Sequence, residues 1–174
     1  VTTRTAGFFT VSQAGLTEAG KAVSDMLMFV GGSSGSTAGG LKTVTLGVVV
    51  LAAVGTARGR SRASVFRHTI PQEKVSQAMT LFMLMLTLAF VGAALICACS
   101  GCSLSTALYE TVSALATVGL TAGLTATLTT LPKLLLIVFM FFGRVGIMTI
   151  SIGFLTASRA EDRFEYAPAR MLIG

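Results

Sequence analysis

Apolar residues in this chain come in long uncharged blocks, neither the alternation of a half-buried strand nor the narrow stripe of a soluble amphipathic helix. Residues 76–99 carry no charge, and residues 133–157 are interrupted only by Arg144 and a few glycines after their opening lysine. A helix rises about 1.5 Å per residue and a hydrocarbon core is about 30 Å thick, so each block predicts one membrane span. Two shorter apolar blocks, 22–30 and 41–55, flank Gly31-Gly-Ser-Ser-Gly-Ser-Thr-Ala-Gly-Gly40. One straight helix over 22–55 would be about 51 Å long, too long for a simple span, so the glycine segment is expected to be unwound or kinked. Bare backbone at membrane depth is tolerated only where it lines a water-filled cavity or is buried in protein. Residues 31–40 are therefore a candidate pathway.

The segment 100–131 is too apolar for a hydrated loop and too short to span. Ser103, Ser105 and Thr106 can cap a helix, 107–115 reads as one short apolar-faced helix, and 116–125 is rich in Thr and Gly. A re-entrant hairpin is expected, a half-helix entering and an extended segment returning. The fold class expected is all-α integral membrane, built of repeated helix–re-entrant pore loop–helix units as in potassium channels, with a broken helix at the glycine-rich loop.

Only 11% of the residues are charged against about 25% in soluble domains, too few to coat a globular surface. The net charge of +6 could suggest nucleic acid, but Arg58, Arg60, Arg62, Arg67 and Lys74 fall in one connection, which instead marks residues 56–75 as a cytoplasmic loop. Span 76–99 then runs outward, 133–157 returns, and the mixed-charge tail 158–174 is cytoplasmic. No nucleic acid partner is expected. Cys97, Cys99 and Cys102 lie far from the single histidine, His68, so they read as small apolar residues at a helix end, with a disulfide open to them in an oxidising compartment. No paired carboxylates suggest an enzyme, and no cofactor is expected. The chain opens on Val1-Thr-Thr-Arg without an initiator methionine or signal peptide, and reads as the tail of a longer one.

A shift of 112 positions aligns the chain with itself. Thr5 meets Thr117, Gly7 meets Gly119, Thr17 meets Thr129, Met28 meets Met140, Phe29 meets Phe141, Gly31 meets Gly143 and Thr37 meets Thr149. The unit is span, re-entrant hairpin, span. Residues 76–157 form a complete copy and residues 1–55 the end of the preceding one. Such units fused around an axis would bring both Thr-x-Gly segments, Thr5-Ala6-Gly7 and Thr117-Val118-Gly119, to that axis, where backbone carbonyls replace an ion's water shell.

Thr3-Arg-Thr-Ala-Gly-Phe8, Phe29-Val-Gly-Gly-Ser-Ser-Gly-Ser-Thr-Ala-Gly-Gly-Leu-Lys-Thr43, Ser113-Ala-Leu-Ala-Thr-Val-Gly-Leu-Thr121 and Met140-Phe-Phe-Gly-Arg-Val-Gly146 resemble the third and fourth repeats of the Trk/Ktr/HKT potassium transporter superfamily, most closely its Ktr type. The resemblance covers essentially the whole chain. It implies that four repeats in one chain surround a single pore, with the missing N-terminal repeats supplying the other half. It implies a filter at Thr5, Ala6, Gly7 and Phe8 and at Thr117, Val118, Gly119 and Leu120, with potassium on the Gly7 and Gly119 carbonyls. It implies an intramembrane gate at Gly31, Gly32, Ser33, Ser34, Gly35, Ser36, Thr37, Ala38, Gly39 and Gly40, with Lys42 at its end and Arg144 facing it. A multi-pass plasma-membrane location, a homodimer, a cytoplasmic nucleotide-binding regulatory subunit, surrounding lipid and sodium-dependent potassium uptake follow from the same resemblance. Phe9 departs from it, where a small polar residue such as Asn is expected.

Several residues keep two readings. Gly7 and Gly119 are filter glycines or plain turn glycines. Residues 31–40 are a gate, a flexible linker, or a near-miss of a phosphate loop in which Leu41 separates Gly40 from Lys42. Arg144, costly at the centre of a span, either binds loop carbonyls or raises a barrier to cations. Glu110 and Asp25 brace backbone or attract cations, and Lys42 tethers the glycine segment or snorkels. The rivals to a potassium pore are a non-conducting membrane scaffold and a secondary transporter with broken helices, though the latter calls for inverted repeats and this repeat runs parallel.

Overall fold

A computed structural model describes residues 2–10, 12–33, 39–59, 64–65 and 68–145. After a 3-10 turn at Gln13–Gly15 come α1 (Glu18–Phe29) and α2 (Thr43–Ala57). A two-residue antiparallel ribbon, β1 (Ser64–Val65) and β2 (His68–Thr69), pairs Ser64 with Thr69 within the basic connection. Then follow α3 (Gln72–Ser100), α4 (Leu104–Leu115), the single turn α5 (Leu124–Thr127) and α6 (Thr130–Val145). Apart from that ribbon the regular structure of the described residues is helical.

The boundaries follow local chemistry. Thr17 caps α1, its hydroxyl accepting from the Gly20 amide at 3.2 Å. Glu18 in the first turn bonds Lys21 at 3.1 Å. The Ser105 hydroxyl first, then Lys21, hold the Glu18 carboxyl below its ordinary range and join the starts of α1 and α4. Among the described helices α3 alone is both long and apolar enough to cross a bilayer, at about 44 Å; α2 is apolar but shorter. The helix α3 ends on left-handed Gly101, whose amide returns to the Cys97 carbonyl at 2.9 Å. Cys97 Sγ donates to the Cys102 carbonyl at 2.8 Å, and all three cysteines are free thiols. Ser103 caps α4.

The short helix α4 forms the centre. Residues Tyr109 to Leu115 are all buried, and α1, α3 and α6 pack around them. Close approach needs small residues, as in membrane helix packing. A Cβ on Gly92 of α3 would run into the Phe139 ring of α6 and lie 2.8 Å from the Thr111 methyl of α4. The core continues through Met85, Ala89, Ala93 and Ile96 of α3 and Leu136 of α6.

One of the two expected spans is met, with shifted ends. The block 76–99 lies inside the longer α3. The block 133–157 is helical from Thr130 to Val145, with residues 146–157 and the tail 158–174 outside the described residues. Two separate helices, α1 and α2, stand on either side of the glycine segment.

Candidate functional site

Beyond α4 the chain turns back on the helix it has just left. The Thr117 amide donates to the Ala114 carbonyl at 3.1 Å and the Val118 amide to the Ser113 carbonyl at 2.9 Å. The buried Ser113 hydroxyl donates to the Leu120 carbonyl at 2.6 Å. That bond commits the Leu120 carbonyl to α4, and Leu120 is itself buried. Nothing in the sequence pattern marks Ser113 for this role, because serine is common in short helices.

Four residues of the two Thr-x-Gly segments have left-handed backbones: Thr5 (φ 63°), Gly7 (φ 69°), Thr117 (φ 55°) and Gly119 (φ 84°). For a β-branched residue this is a genuine outlier, costing about 1–3 kcal/mol. The intervening Ala6 and Val118 have negative φ. Alternating hand gathers successive amides on one side of the chain and carbonyls on the other, unlike a β-strand. The segments also meet. A Cβ on Gly119 would lie 3.9 Å from the Gly7 Cα, and a Cβ on Gly7 would stand 2.7 Å from the Val118 carbonyl oxygen. At one end of the pair is a cavity of about 530 Å³ bordered by Thr2, Thr3, Phe8, Phe9, Gln13 and Leu120.

Glu110 stands behind the second segment, only 4% exposed. Its carboxylate accepts from the Thr121 hydroxyl at 2.5 Å, the Ala122 amide at 3.0 Å and the Thr125 hydroxyl at 2.7 Å. Of its two sequence readings, bracing the backbone is the one this geometry carries. Tyr109, its neighbour on α4, donates to the Gln13 side-chain oxygen at 3.2 Å and so holds the chain that leaves the first segment. Asp25 of α1 keeps its buried Oδ1 without a hydrogen-bond partner.

The glycine segment comes in beneath. Its two ends are pinned to each other: Val30 bridges Leu41, the Leu41 amide donates to the Phe29 carbonyl and the Thr43 amide to the Gly32 carbonyl, both at 3.2 Å. Gly31 and Gly32 are buried, and Ser33 is exposed. A Cβ on Gly31 would stand 2.9 Å from the Leu41 carbonyl oxygen. The Gly39 amide donates to the Thr117 hydroxyl at 3.1 Å, and a Cβ on Gly39 would reach 2.7 Å from the Ala116 carbonyl oxygen. Gly40 is left-handed, φ 73°. Ser34, Gly35, Ser36, Thr37 and Ala38 lie outside the described residues. Lys42 occupies the N-cap position of α2, with no side-chain capping bond. On α6, a Cβ on Gly143 would lie 3.1 Å from the Thr117 methyl, which brings this helix to the same place. Arg144 follows on the last described turn, exposed.

The sequence-predicted residues Thr5, Gly7, Thr117, Gly119, Gly39 and Gly40 thus converge on one small region, and Gly143, which the repeat aligned with Gly31, joins them there. Among the described residues one helix long and apolar enough to cross a bilayer, α3, packs with α1 and α6 around a buried half-length helix, which defines the class as an all-helical protein. Within that class the chain belongs to the TrkH family of cation transport proteins, whose model matches residues 1–165. It is 40% identical, over its whole length, to the potassium/sodium uptake protein NtpJ of Enterococcus hirae. It is 34% identical over 94% of its length to the Ktr system potassium uptake protein B of Bacillus subtilis, and 33% identical over 98% to the protein of that name from Vibrio alginolyticus. The chain spans about two fifths of each of these relatives: 40%, 37% and 37% of their lengths. The family is one of transporters, not enzymes, and places the chain in a membrane.

Proposed function

We propose that this chain contributes one complete repeat and the end of the preceding one to a potassium-uptake pore. Thr5-Ala6-Gly7 and Thr117-Val118-Gly119 supply filter carbonyls, and the glycine segment 31–40 gates the path below them. The observation that carries this reading is the recurrence, 112 residues apart, of a left-handed Thr and a left-handed Gly in two segments that lie side by side. Backbone oxygens of such segments can replace part of an ion's water shell. The relatives' names, which specify potassium or potassium/sodium uptake, support the choice of ion.

In this reading potassium enters from outside past the cavity beside Phe8 and Phe9, sheds water at the Gly7 and Gly119 carbonyls, and passes the gate when the loop moves. The membrane potential supplies about 2.3 kcal/mol per charge per 100 mV. The Gly39–Thr117 bond joins gate to filter, so a moving loop would be sensed at Thr117. Arg144 adds positive charge beside the loop. Further repeats of the same protein complete the ring, the protein spans the plasma membrane several times as a homodimer, and a cytoplasmic nucleotide-binding subunit regulates it. Sodium stimulates it.

The test is potassium and sodium flux through the full-length protein. Gly119→Ser is expected to lower the preference for potassium over sodium about tenfold or more while transport persists. Unchanged selectivity would overturn the filter assignment, and failure of the unmodified full-length protein to rescue a strain deficient in potassium uptake would favour a non-conducting membrane subunit.

A further inference from the structure

The antiparallel pair α2 and α3 is closed at one end by Val48, Ala52, Ile70 and Val75. Alongside that contact runs a crevice of about 440 Å³, walled by Val44 and Val48 of α2 and by Ile70, Ala78 and Leu81, with Lys74 and Gln77 at its rim. Its polarity changes along its length. Lys74 and Gln77 lie in the first turns of α3, and Leu81 about 10 Å further along the axis. The exposed Lys74 ammonium donates to the neutral Gln77 side-chain oxygen at 3.2 Å, while the Gln77 amide nitrogen donates to Glu73 at 3.3 Å. The connection 56–75 carries Arg58, Arg60, Arg62, Arg67 and Lys74 against the single acid Glu73.

We infer that this crevice holds an anionic phospholipid of the cytoplasmic leaflet, its phosphate at Lys74 and one acyl chain along Val44, Val48, Ala78 and Leu81. A cation at one end of an apolar groove, beside a basic loop at the cytoplasmic boundary, matches a headgroup and chain standing in that leaflet. A peptide or a second copy of the chain would not call for the charge at one end only. The inference rests on the membrane reading above but not on the filter, so a selectivity result leaves it untouched.

The full-length protein, purified in detergent, is titrated separately with phosphatidylglycerol and phosphatidylcholine, and bound lipids are counted by native mass spectrometry. Phosphatidylglycerol is expected to bind more tightly. Lys74→Gln should weaken it about fivefold and phosphatidylcholine, whose choline offsets the phosphate charge, by less. Thr45→Trp, at the crevice wall, should weaken both. Lys133→Gln, an exposed cation at the far end of the bilayer, should alter neither. Unchanged phosphatidylglycerol binding in Lys74→Gln would overturn the site, as would equal loss of both lipids in that variant or a Lys133→Gln effect of the same size. The same null result in Lys74→Gln is expected if another segment or a second copy covers the crevice. Should Thr45→Trp fail to fold, the Lys74→Gln comparison decides alone.

Discussion

The segments Thr5–Gly7 and Thr117–Gly119 share a backbone conformation in unlike surroundings. Both place a left-handed Thr two residues before a left-handed Gly. The second is backed by α4, sealed by Ser113 and braced by Glu110, and the residue after its glycine, Leu120, is 3% exposed. After the first, Phe8 is 82% exposed, and the contact that forces a glycine is the neighbouring segment itself, the Val118 carbonyl facing Gly7. Within this chain the unusual conformation recurs with the sequence pattern. It accompanies the Thr-x-Gly pattern and the close pairing of the two segments, with α4 fixing one and that one limiting the other.

The sharpest way to break this asymmetry is at Glu110. Glu110→Ala strands a backbone amide and two threonine hydroxyls inside the protein, so a loss of about 3–4 kcal/mol in stability of the purified full-length protein is expected. Glu110→Gln keeps an acceptor and should lose about half as much. A loss under about 1 kcal/mol for the alanine variant would mean that the second segment is held by something other than this carboxylate.

A smaller effect should separate the two glycines. Each is left-handed, and a side chain there costs about 1–2 kcal/mol. At Gly119 a methyl group meets little else, but at Gly7 it stands 2.7 Å from a backbone carbonyl that must shift. Gly7→Ala is therefore expected to destabilise by about 2–3 kcal/mol and Gly119→Ala by about 1–2 kcal/mol. Equal losses, measured by thermal denaturation of the purified proteins, would show that the segments are not pressed together in this order.

Much of this frame was legible in the sequence. The repeat showed because glycine suits a left-handed backbone and each such glycine follows a threonine by two residues, although the β-branched threonine is itself costly there. The start of α4 showed only to within a turn: Ser103, Ser105 and Thr106 were all capping candidates and the helix was expected from residue 107, whereas Ser103 caps it and it begins at Leu104. The family match bears out the resemblance drawn from the four motifs. The ends of α3 did not show, since hydropathy marks the part of a helix that lies in lipid and not the polar turn, Gln72 to Val75, that leads into it. Thr17 and Glu18 carried a start signal for α1 that the apolar block starting at residue 22 outweighed. The bonds of Glu110 to Thr121 and Thr125 and of Gly39 to Thr117 were invisible for another reason. The last joins residues 78 positions apart, and no local pattern specifies a partner at that range.

The finest test concerns what holds the first segment. Gln13 and Thr125 are separated by the same 112 positions as the two glycines, and both are tied to α4, Gln13 by Tyr109 and Thr125 by Glu110. The two ties differ in strength. Tyr109 and Gln13 form one neutral, partly buried bond at 3.2 Å, worth about 1 kcal/mol, whereas Thr125 bonds a carboxylate. Gln13→Ala and Tyr109→Phe are each expected to cost about 1 kcal/mol, and the double variant little more than either, a coupling of about 1 kcal/mol in the cycle. Strict additivity would detach the first segment from α4, leaving its pairing with the second as the contact that places Gly7.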